Sequence, residues 1–257
     1  MIHENLTYQI NGSLFTVHNQ LKNIWEERVY QQALQLELQS QGLKAETEKK
    51  FEVFYFDKRV GLYFLDLLVE ETVIVELKAV PEVLPLHKAQ LISYLKGYNK
   101  PVGILANFGE KSLNHQTFPN KLQKAPLKDT FDFSKVELKN KEEFQDLFIM
   151  ANRILMTMGA GYLRQVYRRA FYYELQMAQI DFELIKQVTA TYRYHILKSK
   201  EVGFFRIGDL LLSVVAVKAF DQLTLSKFSH FLKFFNCKKG LIFNFRAMHL
   251  DYRYLEQ

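Results

Sequence analysis

Gly103-Ile104-Leu105-Ala106-Asn107-Phe108 returns as Gly240-Leu241-Ile242-Phe243-Asn244-Phe245, 137 residues further on and with only apolar exchanges between. The same spacing of 137 relates the segment Ile24 to Tyr30 to Gly161 to Tyr167, and Glu37-Leu38 to Glu174-Leu175. Two tandem copies of one fold are the economical reading. Split in this way, 257 residues give two domains of ordinary size, expected at 1–125 and 126–257.

Periodicity gives each copy its class. Leu6, Ile10, Leu14, Val17 and Leu21 recur at helical spacing over 5–21, although Asn11-Gly12 weakens the middle. A second helix is expected from Trp25 to Gln41, with Val29, Ala33, Leu36 and Leu38 on its buried side and Gly42 as its stop. Residues 45–57 alternate as a strand, Asp57-Lys58-Arg59 turns the chain, and a second apolar run ends at Asp66. Glu70-Glu71-Thr72 reads as a hairpin turn into a third strand, Val73 to Lys78. A helix over His87–Leu95 and a strand over Gly103–Gly109 follow. The order describes an α/β domain, a small mixed sheet flanked by helices. From Glu110 to about Lys139 the Asn-, Gln-, Pro- and Lys-rich composition reads as a linker or surface connection.

The third strand carries the chemistry. Glu76 and Lys78 stand two apart among Val73, Ile74, Val75 and Leu77, so they share one face of the strand. A carboxylate and an ammonium on an apolar strand are costly to desolvate without a metal, an anion or each other. Folding the hairpin back brings Asp66 beside Glu76. Two acids that hold a hard divalent cation, next to a lysine that stabilises anionic charge, suit phosphodiester cleavage. The plainer reading is an Asp at a turn and a Glu–Lys pair on a half-exposed strand.

Asp66, Glu76-Leu77-Lys78 and the helix glutamine Gln90 together resemble the PD-(D/E)XK nuclease superfamily. Glu27 and Tyr30 on the second helix resemble its GxxExxY family, whose glycine is replaced here by Ile24. The resemblance covers about residues 5–110 and implies two fused restriction-endonuclease-like domains. It further implies that Asp66, Glu76, the Leu77 carbonyl and Glu27 hold Mg²⁺ or Mn²⁺. Lys78 would orient the attacking water, and Gln90 would position the phosphate or the lysine. A carboxylate in a first helical turn is also favoured by the helix dipole alone, which is the plainer account of Glu27.

The second copy reads as degenerate. Matching charge to charge pairs Asp209 with Asp66, Lys218 with Lys78, Ala216 with Glu76, Arg164 with Glu27 and His230 with Gln90. That leaves one carboxylate facing two cations, a poor site for a metal that wants several oxygens. The net charge of +6 lies mostly here: residues 1–128 hold 15 Lys+Arg against 14 Asp+Glu, residues 129–257 hold 19 against 14. Arg164, Arg168 and Arg169, with Tyr30 and Lys88 in the first copy, are the candidate nucleic-acid contacts, with DNA favoured over RNA. A catalytically inactive fold that binds nucleic acid or a protein is the alternative. Fused copies would form a pseudo-dimer, with a homodimer as the route to cutting two strands. One cysteine, Cys237, excludes an internal disulfide, and no apolar run reaches a membrane span, so a cytoplasmic protein is expected. No His/Cys cluster with zinc spacing and no phosphate-cradling glycine loop occurs in the sequence.

Overall fold

The computed structural model describes residues 3–120, 131–247 and 249–257. The first run of elements is α1 (Glu4–Leu21), α2 (Glu27–Ser40), β1 (Ala45–Tyr55), β2 (Lys58–Val69), β3 (Val73–Lys78), α3 (Pro85–Gly97), β4 (Val102–Asn107) and β5 (Asn114–Pro119). The second run starts with a 3-10 turn at Lys141–Phe144. It continues with α4 (Gln145–Met158), α5 (Arg164–Met177), β6 (Glu183–Tyr192), β7 (His195–Ile207), β8 (Leu210–Val215), α6 (Gln222–Phe234), β9 (Lys239–Asn244) and β10 (Asp251–Glu256). From α2 to α5, β3 to β8, α3 to α6, β4 to β9 and β5 to β10, both bounds shift by 137. The chain divides into two compact units, Met1–Val53 with Gly61–Ala125 and Gly161–Leu163, and Phe54–Val60 with Pro126–Ala160 and Arg164–Gln257. The boundary expected between 125 and 126 lies outside the described residues.

Each run builds a five-stranded sheet, in the order β1-β2-β3-β4-β5 or β10-β9-β8-β7-β6. Within each, the parallel pair (β3 with β4, β8 with β9) is spanned by a helix, as a parallel connection requires, and its outer neighbours pair antiparallel. β3 and β4 are buried along their whole length, hence their near-continuous apolar sequence. Val73, Val75 and Leu77 pack into one core with Ile10, Leu14 and Val17 of α1 and Tyr30, Leu34 and Leu38 of α2. By alternation Ile74, Glu76 and Lys78 take the opposite face. There α3 lies so close that a Cβ on Gly103 would meet Leu91 Cδ1 at 2.7 Å, and in the second run α6 lies so close that one on Gly240 would meet Phe228 and Leu232 at 2.8–2.9 Å. Close helix approach therefore accounts for the glycine of the repeated motif.

Its asparagine has an equally local cause. Asn107 Oδ1 accepts from Val80 N at 3.0 Å and its Nδ2 donates to Val80 O at 2.8 Å. Asn244 does the same with Val217, both at 3.0 Å. Each amide clamps the chain just beyond the charged or formerly charged end of the central strand. Asn107→Ala leaves a part-buried N–H and C=O unpaired, and urea denaturation should show a loss of about 1–2 kcal/mol. An unchanged midpoint would show that water replaces the amide.

Two expectations need correction. The stretch 110–139 is not all linker, because β5 and a 3-10 turn at Phe133–Lys135 lie in it. β5 is an edge strand, Asn-His-Gln-Thr-Phe-Pro, that needs no apolar alternation and tolerates its terminal proline. Gln123, Pro126 and Asp129 of that stretch lie outside the described residues. Leu36 is exposed, since the seam of α2 runs through Tyr30, Leu34 and Leu38 at spacings of four. The expected first helix is found, running unbroken through Asn11-Gly12, where its buried face of Ile10, Leu14 and Val17 offsets the poor helix propensity.

Candidate active site

The β2–β3 hairpin places Leu67 opposite Val75 and Leu68 opposite Ile74, so one further step of the register sets Asp66 against Glu76. Asp66 Oδ2 accepts from Leu77 N at 2.7 Å and lies 4.0 Å from Lys78 Nζ. That ammonium donates to Glu76 Oε1 at 2.8 Å and to the Leu77 carbonyl at 2.5 Å. From the first turn of α2, Glu27 Oε1 reaches Lys78 Nζ at 3.5 Å. Asp66, Glu76, Leu77, Lys78 and Glu27 are thus gathered around one ammonium at the end of β3.

The electrostatics are those of a site short of positive charge. Burial, and then the charge of Asp66, push the Glu76 carboxyl up from 4.5 to about 8. Burial likewise raises Asp66 from 3.8 to about 6, against the pull of the Leu77 amide and Lys78. Burial works against the Lys78 ammonium, but Glu76, Asp66 and Glu27 outweigh it and hold its pKa above the ordinary value. Glu76 is fully buried, and among the described residues its Oε2 accepts no hydrogen bond. A buried carboxylate oxygen left without a donor carries a desolvation cost that a cation would offset. The available donors, two carboxylates and a carbonyl, are all hard oxygens and fit Mg²⁺ or Mn²⁺ rather than a thiophilic or imidazole-bound ion. Among the described residues no three His, Cys, Asp or Glu side chains converge as metal ligands. Glu27 stands here as a partner of Lys78.

The sequence profile of the PD-(D/E)XK nuclease superfamily matches residues 4–118 and again 141–255. The chain belongs to the PD-(D/E)XK nuclease superfamily. The two matches are themselves 137 apart, the interval of the repeated motifs and of the elements, so this PD-(D/E)XK chain is a tandem duplication of two α/β domains. No curated protein and no solved structure matches it.

The remaining predicted residues of this PD-(D/E)XK chain sort by burial and partner. Gln90 touches none of the four charged groups directly; its Nε2 donates to the Tyr94 hydroxyl at 2.8 Å. Tyr94, buried on α3, has its pKa raised by burial and then by the charge of Glu76, with Asp66 adding to it. Sequence reasoning missed this tyrosine, although Gln90 and Tyr94 at i, i+4 share a helix face. It also missed Gln31, four residues after Glu27, whose Nε2 holds the Asp66 carbonyl at 2.8 Å. His87 caps α3, its Nδ1 accepting from Leu84 N at 3.2 Å. Lys88 is exposed and lines a depression with Glu82, Glu110, Asn114 and Gln116 that holds none of the charged site residues.

Tyr30 offers nothing to a nucleic acid, and that expectation is corrected. It is fully buried, stacks on Phe108 at 4.4 Å, donates to Lys22 O at 2.8 Å and accepts from Trp25 N at 3.0 Å. Tyr167 repeats the stack on Phe245 at 4.7 Å and the bond to Gly159 O at 2.7 Å. The conserved geometry fixes where α2 or α5 begins. Arg168 is likewise engaged, donating to Glu201 at 2.6 Å and the Val202 carbonyl at 3.1 Å. Arg164 is exposed, and Arg169 is exposed while one of its guanidinium nitrogens donates to Val60 O at 3.0 Å within the second unit.

Charge matching misaligned the second copy. β8 aligns with β3 residue for residue, so Ser213 stands at the place of Glu76 and Val215 at that of Lys78. On β7, Phe205 faces Leu212 as Leu67 faces Val75, which puts buried Phe204 at the place of Asp66. Asp209 lies in the β7–β8 turn instead, 3.9 Å from Lys239. Lys218 and Ala216 lie beyond the strand, and Lys227, not His230, takes the position of Gln90 on α6. None of the three charged groups survives at its own position in the second copy.

Proposed function

We propose that the first repeat is a divalent-metal-dependent phosphodiesterase that cleaves nucleic acid, DNA in preference to RNA, and that the second repeat does not cleave. The observation that carries this reading is the convergence of Asp66, Glu76 and Lys78, with one buried Glu76 oxygen lacking a donor among the described residues. In this reading Asp66, Glu76 and the Leu77 carbonyl hold Mg²⁺ or Mn²⁺. Such an ion, when bound, polarises the phosphate and acidifies a water. Lys78 is kept protonated by its three acidic neighbours, so it orients the attacking water and stabilises anionic charge on the phosphate. Glu27, at the more exposed side of Lys78, steadies the ammonium when substrate displaces its other contacts. Gln90 acts through Tyr94 to shape the wall beside Glu76.

Glu27 and Tyr30, with Ile24 in place of the glycine, favour the GxxExxY branch of the superfamily. Phe204, Ser213 and Val215 supply neither acids nor an amine, which supports a non-catalytic second repeat that contributes binding surface. Among the described residues no helix is long and apolar enough to cross a membrane.

Incubation of the purified chain with supercoiled plasmid tests the reading. Nicked product is expected with Mg²⁺ or Mn²⁺ and none with EDTA, because one active repeat cuts one strand per encounter. A plasmid left intact under every metal would favour the alternative of an inactive binding module.

A further inference from the structure

In the second repeat, β6 and β7 run on past the sheet as a two-stranded ribbon. β8 pairs only with Phe205–Ile207 of β7, while β6 and β7 stay paired from Gln187 opposite Glu201 to Tyr192 opposite His195. At about 3.4 Å per residue the free ribbon is about 20 Å long. Residues 186–200 contain Lys186, Arg193, Lys198 and Lys200 and no Asp or Glu. Every residue from Ala190 to Lys200 is exposed, Tyr194 completely. The matching hairpin of the first repeat instead buries Phe51, Val53, Tyr55, Val60 and Tyr63. The first hairpin thus keeps a buried side, with Phe54–Val60 falling in the second compact unit, while this one is bare and cationic.

The cations are sorted onto one face. Val188 pairs with Lys200 and Ala190 with Lys198, and Lys186 is two residues before Val188, so three lysines flank two small side chains. The opposite face is neutral, with Thr189 and Ser199 hydrogen-bonded to each other at 2.9 Å. None of the three lysines has an ion pair among the described residues, whereas Glu201 at the base is neutralised by Arg168. The tip is a two-residue turn in which Arg193 and Tyr194 both have positive φ, 45° and 66°. Such turns are normally Asn-Gly. Placing Arg-Tyr there sacrifices turn stability to present a cation and an aromatic ring, and Arg193 lies over the Tyr192 ring at 5.4 Å.

We propose that the β6–β7 ribbon is a duplex-DNA-binding arm that lies in the major groove, its lysine face toward the DNA and its lysines reaching the flanking phosphates. A two-stranded ribbon fits the roughly 12 Å major groove of B-form DNA, and Val188 and Ala190 allow the backbone to come close. The deep, narrow major groove of A-form RNA does not admit it. The choice of a polyanionic partner rests on the nuclease reading; the surface itself lies in the repeat that lacks the catalytic groups.

The test is equilibrium binding of the full chain, in EDTA, to a fluorescent DNA duplex of about 20 base pairs across about 50 to 200 mM salt. Lys186→Gln/Lys198→Gln/Lys200→Gln should lower the slope of log affinity against log salt by about 2.7, from about 0.9 per phosphate contact. Lys198→Gln alone should lower it by about 0.9. Thr189→Ala/Ser199→Ala on the neutral face should bind as wild type, and duplex RNA should bind several-fold more weakly. A triple variant with the wild-type slope, or equal binding of duplex RNA, overturns the arm and leaves the active-site reading standing. Loss of wild-type self-association in the triple variant also overturns it, as an interface between copies. Failure of the wild type to bind any nucleic acid overturns the arm and the nuclease reading together. All three lysines are exposed, so unchanged circular dichroism is expected and separates lost contact from lost fold.

Discussion

Glu76→Gln and Lys78→Met should each reduce plasmid nicking by about 10³-fold or more while leaving the circular dichroism spectrum unchanged. Glutamine keeps the shape of the buried side chain but not its charge, so the oxygen pair offered with Asp66 no longer neutralises a divalent ion. Loss of several kcal/mol of transition-state stabilisation at about 1.36 kcal/mol per decade gives that factor. Methionine at 78 keeps the aliphatic stem packed and deletes the donor that holds Glu76 at 2.8 Å and the Leu77 carbonyl at 2.5 Å. Glu27→Gln should cost less, about tenfold, since this carboxylate is 42% exposed and meets Lys78 only at 3.5 Å, where solvent screens much of the interaction. Asp209→Ala and Lys218→Ala should leave the rate within about twofold, because neither stands at a position equivalent to the site. Nicking that survives Lys78→Met, or that falls with Asp209→Ala, would move the chemistry elsewhere in the chain.

The charged triad was legible because it is local. Asp66 and Glu76 sit on two strands joined by a three-residue turn, so alternation and one hairpin suffice to bring them together. Glu27 comes from a separate helix, and only the family resemblance pointed to it. Gln31 and Tyr94 stayed hidden because their i, i+4 relation to Glu27 and Gln90 gains meaning only once the helix face against the sheet is known. β5 was missed because an edge strand facing solvent carries no apolar alternation.

The misaligned second copy has a specific cause. Ile185 pairs with Phe204 and Gln187 with Glu201, so Val202 and Gly203 together oppose Lys186. This bulge, with Gly203 at φ +65° beside the Arg168 guanidinium, is one of two register shifts along β7, which is 13 residues long where β2 has 12. The following turn has two residues, Gly208-Asp209, against three in Glu70-Glu71-Thr72. The two changes cancel before β8, so the interval of 137 returns, but within the hairpin the alignment slips by one. Asp209 and Lys218, the surviving charges, stand at offsets that no strand pairing supports. A repeat has to be aligned on its glycine, asparagine and core positions, which the backbone enforces, and not on catalytic residues that one copy is free to lose.

Without a divalent ion, the protein should become less stable as pH rises from about 5 to about 8.5, and Glu76→Gln should remove most of that slope. Glu76 and Asp66 hold their protons to about pH 8 and about pH 6 in the folded chain, against ordinary values of 4.5 and 3.8. The native state therefore binds more protons than the unfolded state across this interval, and each step up in pH favours unfolding. Lys78 adds no slope here, because an amine whose pKa is raised stays protonated in both states below about pH 10. At about 1.36 kcal/mol per pKa unit, Glu76 alone puts the loss on the order of 3–5 kcal/mol. Part of the gain in Glu76→Gln is offset because Lys78 then keeps only Glu27, Asp66 and the Leu77 carbonyl as partners. Urea denaturation should show the variant near wild type at pH 5 and more stable at pH 8.5. Added Mg²⁺ or Mn²⁺ should raise wild-type stability at pH 8.5 and leave the variant almost unchanged, since a ligand stabilises only the state that binds it. A wild type whose stability is flat over this range would mean that Lys78 fully compensates the buried carboxylate, and the pressure to recruit a cation would then be gone.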